Sequence, residues 1–173
     1  MKANLKPRQS RIFAGVCLLG AGLALTSAVI LPAAEFYYAA TTATLTYTTV
    51  VGPIPITGLT LTLPAADTTF NAAVITLNMP NLTLSQPVPA LTVPMAGMFQ
   101  IVAPASAAGP VLASGMIGAD NNNVTVSGSR PLTMVVKMPL GTTSQSVQAE
   151  WWSNGAIVTT RTFASLSAIL VKE

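Results

Sequence analysis

"VQAEWWSNGAIVTTRTF", Val147 to Phe163, decides how the chain is to be read. Val147, Ala149 and Trp151 alternate with Gln148 and Glu150, and a second alternating run follows from Ala156. Period two with β-branched and aromatic residues is the mark of a strand. Between the runs, Asn154-Gly155 supplies residues that take positive φ at little cost, so the stretch predicts a tight antiparallel hairpin.

The same texture extends outward in both directions. "TATLTYT", Thr42 to Thr48, and "GLTLTLP", Gly58 to Pro64, alternate Leu or Tyr with Thr. Further runs fall at Val74–Met79, Leu82–Ser85, Leu91–Val93, Phe99–Val102, Val111–Ile117, Val124–Ser127, Leu132–Met138 and Leu166–Val171. Clusters of Pro, Gly, Asn and Ser separate them, because these residues lack a ladder donor or favour turns. The segment Pro80–Pro94 carries four prolines and reads as an edge strand or an extended loop. No interval offers an amphipathic helix. The expectation is an all-β body, an antiparallel β-sandwich or jelly-roll-like domain of about ten short strands.

A membrane β-barrel would need strands of about ten residues with an apolar outer band and a polar lumen. The runs here are shorter than that.

Ahead of the body lies a different kind of sequence. Lys2, Lys6, Arg8 and Arg11 precede an apolar stretch from Ile12 to about Leu25, and small residues follow at Thr26, Ser27 and Ala28. That order is the order of a secretory leader. Thr26 and Ala28 fit the two small pockets of signal peptidase, which predicts a signal peptide over 1–28 and a single extracytoplasmic domain over 29–173. The alternative is an uncleaved membrane anchor over 12–34, since Ile12 to Ala34 is uncharged over 23 residues and Tyr37 and Tyr38 would then lie at the outer interface. Either reading places the body outside the cytoplasm and limits membrane attachment to the N-terminal segment. Ala14, Gly15 and Val16 ahead of Cys17 do not form a lipidation signal.

Charge is the body's main peculiarity. Charged residues make up 8% of the chain, against roughly 25% in ordinary soluble domains. The formal net charge is +3, but from Glu35 onward Arg130, Lys137, Arg161 and Lys172 face Glu35, Asp67, Asp120, Glu150 and Glu173, so the body is nearly neutral. No basic patch exists to neutralise phosphates, and no nucleic-acid partner is expected.

The chain has no histidine, and its one cysteine, Cys17, lies in the apolar leader. A disulfide within the body and Cys or His metal sites are thereby excluded there. Without histidine the usual proton shuttle is missing. Asp67, Asp120 and Glu150 are the carboxylates that could pair for glycoside chemistry, yet their settings read as turn, turn and strand. A Ser–Lys dyad through Lys137 has no spacing to support it. No enzymatic activity and no cofactor are expected.

Three other features qualify as candidate sites. Asp120, Asn121, Asn122 and Asn123 concentrate side-chain oxygens in a loop that could hold a hard cation weakly, though calcium sites gather more carboxylates than one. Trp151 and Trp152 must point to opposite faces of a strand, so one fills the core while the other is free to stack on a sugar or meet an assembly partner. Met79, Met95, Met98, Met116, Met134 and Met138 read as adaptable core filling in preference to thioether ligands. Asn81-Leu-Thr and Asn123-Val-Thr match the glycosylation sequon.

An exported sheet-built body normally guards its edges with Lys, Pro or bulges and covers its faces with charge. This body has few charges to do so. The expectation is a structural protein of the cell surface or secreted space, a subunit that self-associates into a filament, surface layer, capsid-like or adhesive structure. The alternative is a monomeric exported module that binds a carbohydrate or surface glycan.

Overall fold

A computed structural model describes residues 34–47, 52–85, 95–104, 109–119, 130–154, 157–160 and 162–173. The chain divides into two compact units, Met1–Leu31 and Pro32–Glu173, and every described residue belongs to the second. The signal peptide 1–28, nearly all of the anchor 12–34, the Asp120–Asn123 loop and the Gly155 turn residue therefore lie outside the described residues.

Among the described residues every regular element is a strand. In chain order these are β1 (Phe36–Ala40), β2 (Thr46–Tyr47), β3 (Ile54–Leu63), β4 (Ala72–Ser85), β5 (Met95–Val102), β6 (Val111–Ala119), β7 (Arg130–Pro139), β8 (Gln145–Asn154), β9 (Ile157–Thr160) and β10 (Ser165–Val171). They form two antiparallel sheets, one in the order β1-β10-β4-β9-β2 with β7 also on β4, the other in the order β3-β8-β5-β6.

The six strands of the first sheet occupy four lanes. β9 and β10 succeed one another along one side of β4, which pairs with β9 at Leu82–Ser85 and with β10 at Ala72–Asn78. β1 and β2 follow the far side of that same lane, and Phe36↔Ile169 and Thr46↔Thr159 lie on one continuing register. Counted by lanes, the fold has eight strands, paired first lane against last, β3 against β8, β4 against β7 and β5 against β6, and the chain changes sheet at each step except from β5 to β6. That nesting is a jelly roll.

The core lies between the sheets and is built by period-two alternation. Ile75, Leu77, Met79, Leu82, Leu84 and Leu166 face Ile56, Leu59, Leu63, Phe99, Ile101 and Val147, all buried. Two glycines allow the sheets to close along their sides. Gly58 takes φ 86° in the irregular part of β3, and a Cβ there would fall 3.2 Å from the Ala40 carbonyl oxygen, so β3 comes close to β1. A Cβ on Gly115 of β6 would fall 2.8 Å from Met134 Sδ of β7.

Two expectations need correction. Val147–Phe163 is not a hairpin: β8 pairs with β3 and β5, whereas β9 pairs with β4 and β2, so the chain passes from one sheet to the other after Asn154. Alternation and a turn dipeptide fix strand and reversal, but they do not fix the partner. Pro80–Ser85 is neither edge nor loop, because it continues the central strand β4. Pro80 is tolerated there because the β4–β7 register shifts between Met79 and Leu82, where a bulge asks no ladder donor of it. β1 had no counterpart among the strand runs read from the sequence; Tyr37 and Tyr38 sit within it and pair with Ala168 and Ser167.

Candidate functional site

Strand alternation gives each sheet an outer face, and the two differ in chemistry. On the second sheet, Gln148, Glu150 and Trp152 of β8 point away from the core, opposite to Val147, Ala149 and Trp151. Glu150 is only 1% exposed. Its Oε2 accepts from Gln100 Nε2 at 2.6 Å, and its Oε1 accepts from Gln148 Nε2 at 2.6 Å. Gln100 is its cross-strand partner on β5 and Gln148 its neighbour two residues back on β8, so strand geometry alone brings the three together. Both carboxyl oxygens are thus satisfied by neutral amides. The next row on this face is Trp152, Met98 and Met116, with Met116 65% exposed.

Trp151 faces inward and is buried, its ring 5.3 Å from that of Tyr47 and 6.4 Å from that of Phe99. Trp152 is half-buried on the outer side.

The outer face of the first sheet has a different build. Cross-strand pairing lays out one row of Phe36, Ile169, Val74 and Lys137, and a second of Tyr38, Ser167, Thr76 and Val135. Phe36 and Tyr38 are 62% and 61% exposed, and their rings stack at 6.1 Å. Ile169 and Val135 are exposed beside them. Lys137 is the charged residue in these rows, and it is held in an ion pair with Glu173.

The seam between the β1–β2 lane and the β9–β10 lane opens on this face. Thr41 N–H donates to the Ala164 carbonyl at 3.0 Å, but Ala164 N–H returns to Thr41 Oγ1 at 3.1 Å instead of to a backbone carbonyl. Four residues along, Thr160 N–H donates to the Leu45 carbonyl at 2.9 Å while Leu45 N–H donates to Thr160 Oγ1 at 2.9 Å. Each end of the interruption therefore replaces half of a ladder pair with a threonine hydroxyl. The strands part between them around a cavity of about 400 Å³, lined by Thr42, Ala43, Thr44, Thr162 and Phe163. Phe163 stands at its margin, 63% exposed.

The sheet edges divide in the same way. β7 carries Pro131, Pro139 and Lys137, and β3 carries Pro55 and an irregular register, all of which discourage pairing with another chain. β1, "FYYAA", and β6, "VLASGMIGA", carry no proline and no charge.

Of the three candidate carboxylates, the two described ones stand in different settings. Asp67 lies in the turn after β3, where its Oδ1 accepts from Phe70 N–H at 2.6 Å and Thr69 N–H at 2.7 Å, and those bonds lower its pKa below the ordinary carboxylate value. Glu150 sits mid-strand on an outer face, and Asp120 is outside the described residues. Among the described residues no three metal-binding side chains gather. Asn81, of the first sequon, lies in the β4 bulge with its Oδ1 buried and unbonded. The Gln100–Gln148–Glu150 group and the seam opening were not anticipated from sequence. Cross-strand register creates the first and paired interruptions in two distant segments create the second, and neither leaves a local motif.

No family model matches the chain, and no curated protein matches it in sequence. Among solved structures it is similar to the infectious bursal disease virus VP2 subviral particle, with TM-score 0.44 and 10% identity over 80% of this chain and 33% of that one. It is also similar to the T=1 particles derived from that virus, with TM-score 0.45 and 12% identity over 89% of this chain and 36% of that one. The chain thus spans about a third of the length of these viral chains. The likeness concerns strand arrangement and carries nothing about role.

Proposed function

We propose that the chain is an exported structural protein whose β-sandwich body is a subunit of a surface or extracellular assembly, without catalytic activity of its own. The observation that carries this reading is the outer face of the first sheet, where Phe36, Tyr38, Val135 and Ile169 stand exposed and Lys137, the described charge in their rows, is engaged by Glu173. Glu35, Asp67, Lys137, Lys172 and Glu173 lie toward the end where β10 finishes and β4 begins, tied by the Lys137–Glu173 ion pair and by Lys172 Nζ bonded to the Thr68 carbonyl. Exposed apolar surface of this kind, gathered on one face whose described charge is already paired, marks an interaction site. The uncharged edges β1 and β6 support the same reading. Export rests on the leader-like N-terminus. Trp152, outward and half-buried beside the Gln100–Glu150 pair, is where a surface glycan would stack if the body also attaches to one.

Sedimentation of the native protein, with N-terminal sequencing of the same material, tests the reading. The expected result is an oligomeric or particulate species with a mature N-terminus past Ala28. A monodisperse monomer at micromolar concentration overturns it.

A further inference from the structure

We infer that the outer face of the first sheet is a self-complementary interface, joining two copies of this chain about a two-fold axis that passes beside Ala40 and Ser165, with the Phe36–Tyr38 pair of each copy seated in the seam opening of the other. This rests on the structural-subunit reading and adds to it the face, the partner and the register.

Knob and hole lie on one face. Tyr37 and Ala39 pack toward the core, so Phe36, Tyr38 and Ala40 project outward, and the continuing register sets Thr42 opposite Phe163 on the same side. The stacked aromatic pair is centred on position 37 and the opening on position 43, which puts Ala40 midway. A two-fold axis lying in the plane between two facing sheets, perpendicular to the strands, reverses strand direction. If it passes at Ala40, it carries position 37 of one copy over position 43 of the other, and the reverse. Such an isologous contact closes on itself.

At the axis the outward side chains are Ala40 and its partner Ser165, small enough to let the two faces meet. An apolar cavity of about 150 Å³ admits benzene, so an opening of about 400 Å³ has room for an aromatic ring with its flanking atoms.

Charge and area agree with a second copy as the occupant. Among the described residues, the stripe formed by Phe36, Tyr38, Ile169, Ser165 and the opening carries no charged side chain, so this described part of the stripe brings neither like-charge repulsion nor a buried unpaired ion when two copies meet. Phe36, Tyr38 and Phe163 each keep about three fifths of their surface in water. With roughly 100 Å² still to bury on each ring, six rings supply more than half of the roughly 1,000 Å² that a specific interface needs. Ile169 and the threonines around the opening add to this.

A single-cysteine variant reads the axis directly, because a residue beside a two-fold axis faces its own copy. In the full chain with Cys17→Ser, Ala40→Cys treated with a bis-maleimide spanning about 10 Å, the spacing of facing sheets, is expected to give mostly covalent dimer on a denaturing gel. Thr62→Cys, outward on β3 of the other sheet, is expected to stay a single chain. Ala43→Trp, which fills the opening from within its own copy, is expected to weaken self-association at least about tenfold with an unchanged melting temperature. Single chains from Ala40→Cys, equal cross-linking of Thr62→Cys, or undiminished association of Ala43→Trp each overturn this interface. If the protein still sediments as an assembly in those cases, the structural role stands and only this contact falls. A protein that never assembles removes both.

Discussion

The two outer faces of the sandwich come from the same alternation and finish differently. On the second sheet the outward row holds Gln100, Glu150 and Gln148, polar groups that satisfy one another and leave Glu150 almost wholly buried. On the first sheet the outward rows expose the aromatic and β-branched residues Phe36, Tyr38, Ile169 and Val135, beside a seam that two threonine hydroxyls leave unzipped. Burial on an outer face is therefore no measure of its apolar character here. The Gln100–Glu150–Gln148 row of the second face is closed by hydrogen bonds within the chain, although Met116 in the next row is exposed, and the first face keeps Phe36, Tyr38, Ile169 and Val135 together and available to a partner.

β8 sharpens the contrast, because it carries the core on one side and the closed face on the other. Trp151→Ala removes a ring packed against Tyr47 and Phe99 and is expected to cost about 3–5 kcal/mol of unfolding free energy in denaturant titration. Trp152→Ala, half-buried, is expected to cost less than half as much, and equal losses would mean that the outer row is a second core. Next in size is Glu150→Ala. It strips the acceptor from both Gln100 and Gln148 at once, and two buried amides left unsatisfied are expected to cost about 2–4 kcal/mol. A loss below about 0.5 kcal/mol, the level of an ordinary surface substitution, would show that the second face is not closed by this group, and the distinction between the faces would fail.

What the sequence makes legible is the part of the fold that depends on local period. The runs at Leu132–Met138 and Leu166–Val171 fall within β7 and β10, and the all-β class follows from such runs. Pairing is not local. Val147–Phe163 has every attribute of a hairpin, yet its halves serve different sheets, because partner choice is settled by which buried faces meet across the core. Phe36–Ala40 escaped notice for a related reason: "FYYAA" has no polar alternation, and it becomes a strand through its ladder with β10. Glu150 was visible only as a lone carboxylate on a strand, since Gln100 lies fifty residues away in sequence. The tryptophans' opposite orientations could be read, because a strand leaves adjacent residues no alternative.

The charged rim is the third region against which both faces can be set, and it has the smallest expected effect. Asp67 caps its own turn, and the bonds from Phe70 N–H first and Thr69 N–H second hold its carboxyl below the ordinary range. The group is fully exposed, so water screens much of what it contributes. Because its folded pKa lies below the unfolded value of about 3.9, the stabilisation is complete above that pH and disappears as pH falls through the lowered folded value. The difference in melting temperature between the wild type and Asp67→Ala is therefore expected to be constant from neutrality down to about pH 5 and to shrink below about pH 4. Cross-linking through Ala40→Cys should be unchanged over the range in which that difference is still constant, since the stripe on the first face holds no described titratable carboxyl. Loss of the dimer together with the Asp67 contribution would tie the apolar face to the rim, and the two regions could no longer be treated as independent.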